Sequence, residues 1–297
     1  MDWIANFKVR CSRIKAVMSN SQSNPVITEI GLARLAELEK RAGGDGKPLT
    51  ENMKLELAEL IVKKENGKKV ILSDVCISYL MEVYAWEVDG MIDVGKEAMQ
   101  EMAQISKGKK CEPDAIKLLS AVDGTEYKTH KERIFNEFLS GEVDTFLGES
   151  IYEAYNVTDI KNAYDRPGFL RKINAGLENG QREQLGGYGL ISGARELFVA
   201  NTLVNNPEED ILAAKMRLSQ KMDAFTSESP EFLREWAKWE RSMRFTTIHP
   251  HRRVHKVPVE PFTDFEREKL YDRVKICREW LYNFAEVEQS LNLKHLV

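Results

Sequence analysis

The stretch SGEVDTFLGESIYEAYNVTDIKNAYD, residues 140–165, decides how this chain is read. Its β-branched and aromatic residues lie between turn signals. With the preceding TEYKTH and NEFL they predict an antiparallel hairpin or meander. Successive strand residues point to opposite faces, so Asp159 and Lys161 share one face and Ile160 points to the other. If residues 143–146 pair beside this strand, Asp144 joins Asp159, whereas Glu142 faces away and reads as surface. Two carboxylates held together repel strongly unless a cation holds them. Mg²⁺ binds through one or two carboxylates plus water and phosphate oxygens. A lysine beside such a site can stabilise charge on a phosphate or position a water. The competing reading of Asp159 and Lys161 is a solvated strand face.

Upstream of this stretch the pattern is helical. TEIGLARLAELEKR, residues 28–41, repeats apolar Ile30, Leu32, Leu35 and Leu38 at helical spacing. LTENMKLELAELIVKKE follows with Thr50 as N-cap, then LSDVCISYLMEVYAWE with Ser73 as cap. SNSQSNP and AGGDGKP read as breaks, and residues 91–124 as two helices separated around Gly108 and Pro113. Downstream, PGFLRKINAGLEN and QREQLGGYGLISGA read as helices and RELFVANTLVN as a buried strand. A helix pair covers about 208–241. RFTTIHPHRRVHKVPVEP reads as an edge strand limited by prolines, and a long amphipathic helix covers about 263–291. The expectation is an α/β (α+β) chain with a mixed central sheet flanked by helices. Residues 1–105 form a helical N-terminal layer and 106–297 a catalytic core with C-terminal helices.

Composition excludes several classes. With 42% hydrophobic and 30% charged residues among 297, the chain is ordinary for a globular protein, and a net charge of −4 does not advertise nucleic-acid binding. Cys11, Cys76, Cys111 and Cys277 are scattered without a Cys-x-x-Cys pair, against a disulfide framework or an iron–sulfur cluster. No apolar run approaches the roughly 18 residues of a membrane span. Met1-Asp2-Trp3 does not open like a signal peptide, so a cytoplasmic protein is expected.

Basic residues are locally grouped. Arg241–Val259 has no acid and contains Arg241, Arg244, Arg252, Arg253 and Lys256, which suits a phosphate-tracking strip or a charge-protected edge strand. His249, His251 and His255 match no standard zinc spacing. Trp236 and Trp239 read as core rather than as platforms for bases. Arg171 and Lys172 follow the acidic strand and are candidates for phosphate contact.

The ordered motifs resemble the PD-(D/E)XK nucleases. Gly-x-x-Asp ending at Asp144, then Asp159-Ile160-Lys161, is similar to the superfamily's core motif. Gln184 and Tyr188, at i and i+4, look like the Gln-x-x-x-Tyr motif of RecB-type and lambda-exonuclease-like members. KGKKCEPDAI resembles the basic-Gly-x-x-x-Glu segment of lambda-type and YqaJ-type viral exonucleases, whose glutamate falls at Glu112. LSDVCISYL and LVNNPEEDI extend the resemblance to phage-encoded YqaJ-like proteins over roughly 50–285. The chain departs from the pattern at Asn162, where relatives often carry Ser or Thr. It also departs in the extra acids Glu149 and Glu153, and in Gly186 and Gly187, which cost a helix about 1 kcal/mol each.

The resemblance implies a restriction-endonuclease-like core and a Mg²⁺- or Mn²⁺-dependent deoxyribonuclease acting as an exonuclease at duplex DNA ends. Glu112, Asp144, Asp159 and the Ile160 carbonyl would hold metal. Lys161 would position and help deprotonate the water. Gln184 and Tyr188 would orient the lysine or grip DNA, with Arg171, Arg252 and Arg253 on phosphates. It further implies a role in phage recombination or DNA repair in a host cytoplasm, a single-strand annealing partner and a ring-shaped homo-oligomer. An endonuclease of the same fold, or a non-catalytic DNA-binding protein on a decayed nuclease fold, are the alternatives.

Overall fold

Val157, Thr158 and Ile160 favour extended backbone, and they sit in Ala154–Asn162, the longest strand of a computed structural model that describes residues 2–20, 27–44, 48–66, 71–91, 103–222 and 229–294. The expected breaks at 19–25 and 42–48 lie partly outside these residues, as does the start of the helix expected from 91. Strands among the described residues are Val9–Arg10 (β1), Ile134–Phe135 (β2), Leu139–Gly141 (β3), Thr145–Gly148 (β4), Ala154–Asn162 (β5), Glu196–Thr202 (β6) and Val254–Val259 (β7).

The main sheet runs β4-β5-β6-β7. β4 is antiparallel to β5, with Thr145 opposite Thr158. β5 is parallel to β6, with Lys161 opposite Asn201, and β6 is antiparallel to β7, with Asn201 opposite His255. This is the expected mixed sheet. The parallel pair requires a crossover, which the helices Arg166–Ala175 and Gln181–Ser192 supply. One sheet face, through Ile160 and Ala200, packs under helix Glu112–Asp123 against Ala115, Ile116 and Leu119. The other carries Leu197 beneath Gly189 of helix Gln181–Ser192, where a Cβ would stand 3.2 Å from the leucine. The basic strand is shorter than expected. Only Val254–Val259 pairs, as an edge that tolerates Pro258, and Pro250–Arg252 form a 3-10 turn before it.

The chain divides into two compact units. One unit comprises Met1–Val9, Arg13–Met91 and Glu266–Val297; the other comprises Arg10–Ser12 and Ile92–Phe265. In the first, the capped helices Glu29–Ala42 and Glu51–Asn66 bury Leu35, Leu38 and Leu60 together. The long helix Asp264–Lys294 joins this unit from Glu266 because its buried stripe of Leu270, Val274, Cys277, Leu281 and Ala285 is satisfied there. Cys277 Sγ lies 3.8 Å from Cys76 Sγ, and Phe284 meets Tyr84 edge-on at 5.1 Å. Arg273 donates to the carbonyls of Val17 and Ser19 at 2.7 Å each. Sequence distance hides these contacts. Among the described residues no helix is long and apolar enough to cross a membrane.

In the second unit Lys107 is buried although it looks like a surface cation in sequence. Its Nζ donates to Tyr164 O at 3.0 Å and Asn206 Oδ1 at 2.8 Å, and stands 5.2 Å from the Phe245 ring centroid. Helix Ala103–Lys110 is thereby pinned, and helix Glu112–Asp123 starts two residues after it ends. Burial lowers the ammonium from 10.5 to about 8. A lowered folded value means that the group's contribution to stability is fully present above about 10.5 and lost as pH falls through about 8. Denaturant titrations of wild type and Lys107→Met should therefore diverge in favour of wild type between those two values. A constant difference across that window would contradict the burial argument.

Candidate active site

Asp159 sits at the centre of the site. It is 2% exposed on β5, on the sheet face opposite Ile160. Its Oδ1 accepts from Gln184 Nε2 at 3.2 Å. Its buried Oδ2 pairs with Lys161 Nζ at 2.7 Å. The two-residue alternation of an extended strand brings the acid and the base together, as the sequence implies.

Asp144 reaches the same place from just outside a strand. β4 begins at Thr145, and continuing its register places Asp144 opposite Asp159. Where β4 has not yet begun, the Asp144 carboxylate takes the Ile160 N–H at 2.7 Å. Burial raises the Asp144 carboxyl from 3.8 to about 7, and the Asp159 charge adds to the rise. The Ile160 N–H and Lys161 oppose it. The Ile160 side chain packs into the cluster beneath the sheet, which leaves its backbone at the site.

Glu112 is the first residue of helix Glu112–Asp123, with Pro113 suited to the first turn. It is half-buried. Burial raises its carboxyl, the Asp159 charge raises it further and Lys161 lowers it, so Glu112 feels both members of the ion pair. Burial alone would lower the Lys161 ammonium, but Asp159, Asp144 and Glu178 outweigh it and the net shift is upward. Among the described residues no three or more His, Cys, Asp or Glu side chains are grouped closely enough to hold a metal unaided. His249 and His251 stack on each other, with ring centroids 5.4 Å apart.

Gln184 and Tyr188 form a buttress behind the acids. Gln184 Nε2 donates to Tyr188 Oη at 2.9 Å as well as to Asp159. Tyr188 is buried, and burial pushes its phenol far up, so it stays neutral. Gly141 explains how the ring fits: a Cβ there would stand 2.5 Å from Tyr188 Cε1. The two sequence motifs thus interlock, a link that spacing along the chain does not reveal. Gly186 also admits a close neighbour, the Phe262 ring, which lies 2.9 Å from where a Cβ would stand. Gly141→Ala should cost about 1–3 kcal/mol by overpacking and lower turnover roughly tenfold through Gln184 and Asp159. Chemical denaturation and steady-state kinetics would check it, and a variant with wild-type turnover would separate Tyr188 from the acids.

The basic candidates are only partly grouped. Arg171 is exposed on helix Arg166–Ala175. Arg252 is exposed and Arg253 half-buried, immediately before β7; Arg253 O accepts from Leu203 N at 2.8 Å, next to the end of β6. Arg253 Nε finds no acceptor among the described residues, and burial lowers its guanidinium. Two other cations of the strip are committed elsewhere. Arg244 pairs with Glu208 and Glu240, and Lys256 pairs with Asp123 at 2.6 Å over the Phe198 ring. Glu142 is exposed and pairs with Arg133, while Trp236 lies in a helix-pair core with Trp239 against it.

No protein-family model matches the chain, and no curated protein does. Solved structures do. A phage-related exonuclease from Haemophilus somnus 129PT superposes with a TM-score of 0.57 at 17% identity, over 97% of this chain and 99% of that one. The alkaline exonuclease LHK-Exo from Laribacter hongkongensis gives 0.52 at 10% identity, over 99% and 98%. LHK-Exo in complex with dAMP gives 0.53 at 11%, over 99% and 98%. The mixed sheet, the helical crossover between β5 and β6 and these superpositions agree: this chain has the restriction-endonuclease-like fold of phage-related and alkaline exonucleases.

Proposed function

We propose that the protein is a metal-dependent DNA exonuclease that hydrolyses phosphodiester bonds at duplex ends. The observation that carries this reading is Asp144 and Asp159 side by side, with Lys161 2.7 Å from Asp159 Oδ2. Three acids, Glu112, Asp144 and Asp159, share one ammonium, so the site is short of positive charge. The raised Asp144 carboxyl is what a hard cation would correct. The donor set fits Mg²⁺ or Mn²⁺, since Mg²⁺ requires only one or two carboxylates and takes its remaining oxygens from water and phosphate.

Asp144, Asp159 and the Ile160 carbonyl would hold the ion, with Glu112 at the helix start adding negative charge from farther off. When bound, the ion lowers the pKa of water and stabilises charge on the phosphate. The protein's own groups do the rest. Lys161 positions the water and offsets negative charge at the reacting phosphate. Gln184, braced by Tyr188, holds the Asp159 carboxylate at a fixed angle. Arg171, Arg252 and Arg253 take backbone phosphates of the duplex. The LHK-Exo complex with dAMP, a mononucleotide such as exonucleolytic hydrolysis releases, supports the same substrate class here. Trimming one strand would leave single-stranded tails for an annealing protein, consistent with a recombination role.

End-labelled linear duplex should be degraded in Mg²⁺ by wild type and not by Asp144→Ala, while covalently closed circular duplex stays intact. Nicking of the circle would replace this reading with an endonuclease. Linear duplex left whole by wild type in both Mg²⁺ and Mn²⁺ would end it.

A further inference from the structure

Asn201 lies in the middle strand pair of the sheet, in register with Lys161 on one side and His255 on the other. Residues in register across a sheet share a face, so these three side chains form one row on the face that carries Asp159. The rows beneath it are apolar beyond the acid: Asp159, Val199 and Val257, then Val157, Leu197 and Val259. The polar row stands at the carboxyl ends of the parallel strands β5 and β6, where open α/β sheets bind their ligands.

Asn201 is 2% exposed, as deeply buried as Asp159, and its Nδ2 finds no acceptor among the described residues. A buried donor left unpaired costs on the order of 1–3 kcal/mol. Close by, on the same face, Asp159 Oδ2 is a buried acceptor that pairs with Lys161 Nζ at 2.7 Å and keeps a second lone pair. Strand spacing and rise put the two Cα atoms on the order of 8 Å apart, too far for the short side chains to meet and near enough for one oxygen to bridge them. The orphaned donor and this remaining lone pair are complementary to a single water, which needs two to four polar partners when buried.

We propose that Asn201 is a further substrate-contacting residue of this site: its carboxamide holds, with Asp159, the water that the hydrolysis consumes. This inference rests on the nuclease reading above. Asn201 Nδ2 donates to the water, the water donates to Asp159 Oδ2, and Lys161 flanks it. One lone pair of the oxygen remains directed toward the phosphate.

The test is Asn201→Leu, of nearly the same volume, with Asn201→Ala as a second variant. Both should keep a Tm close to that of wild type, because no protein acceptor is lost. Both should lower kcat about 30-fold with KM within twofold of wild type, and a crystal structure of wild type should show a water between Asn201 and Asp159 that is missing from the leucine variant. Unchanged kcat, an effect confined to KM, or a large Tm loss in both variants would overturn the inference, the last because it would mean that the protein itself holds the carboxamide. Asp159→Asn in the same assay separates the two levels. If it is inactive while Asn201→Leu is fully active, only the role of Asn201 fails; if wild type itself leaves linear duplex whole, the nuclease reading fails.

Discussion

Asp159→Asn is expected to reduce hydrolysis of linear duplex DNA by about 10³-fold or more while leaving the fold intact. The amide keeps the shape of the carboxylate and can keep the Gln184 contact, so the loss reports charge rather than packing. Two charge effects act together. The site loses an acid opposite Asp144, and with it the demand for a divalent ion. Lys161 loses the carboxylate that does most to hold its ammonium up against burial, so its pKa falls. Stability should move the other way. Asp144 is raised partly by the Asp159 charge, so removing that charge relieves a buried repulsion, and Tm at neutral pH should be equal to or above that of wild type. Single-turnover rates in Mg²⁺ beside thermal melts would decide. A variant within tenfold of wild type would remove Asp159 from the chemistry, whatever its melting temperature.

Lys161→Met should lower kcat about 10²–10³-fold and, unlike the asparagine variant, should destabilise the metal-free protein. Its ammonium pairs with Asp159 and lowers the Asp144 carboxyl. Without it, buried carboxylates face each other uncompensated, a change of the kind that costs about 3–5 kcal/mol. The pH dependence follows from the direction of the Asp144 shift. Its folded value is already raised from 3.8 to about 7, so its contribution to stability is fully present below 3.8 and lost as pH rises through about 7. Removing Lys161 raises that carboxyl further, so the variant should go on losing stability above about pH 7, where the loss in wild type levels off. Mg²⁺ should restore more Tm to the variant than to wild type. Equal pH profiles and equal responses to Mg²⁺ would show that Lys161 does not balance these acids.

The part of the site legible in the sequence is the part set by local geometry. Alternation along β5 puts Asp159 and Lys161 on one face wherever the strand lies. The i,i+4 spacing of Gln184 and Tyr188 puts both on one side of a helix, and Thr50 and Ser73 cap helices that begin where their side chains can accept the first free amides. These follow from backbone periods of 2 and 3.6 residues and need no knowledge of the rest of the chain.

Tertiary structure decided what depends on residues far apart in sequence. Asp144 was expected within a strand and stands just before one, placed by the Ile160 amide rather than by pairing of its own backbone. Lys107, Arg244 and Lys256 look alike as surface cations in sequence. Folding buries the first among a carbonyl, an amide and a ring, and pairs the other two with acids, leaving Arg252 and Arg253 beside the end of β6. The last helix is assigned to the first unit from Glu266 on because its apolar stripe meets Cys76 and Tyr84 there, about two hundred positions away. Periodicity tells a side chain which way to point, but only packing tells it what it will meet.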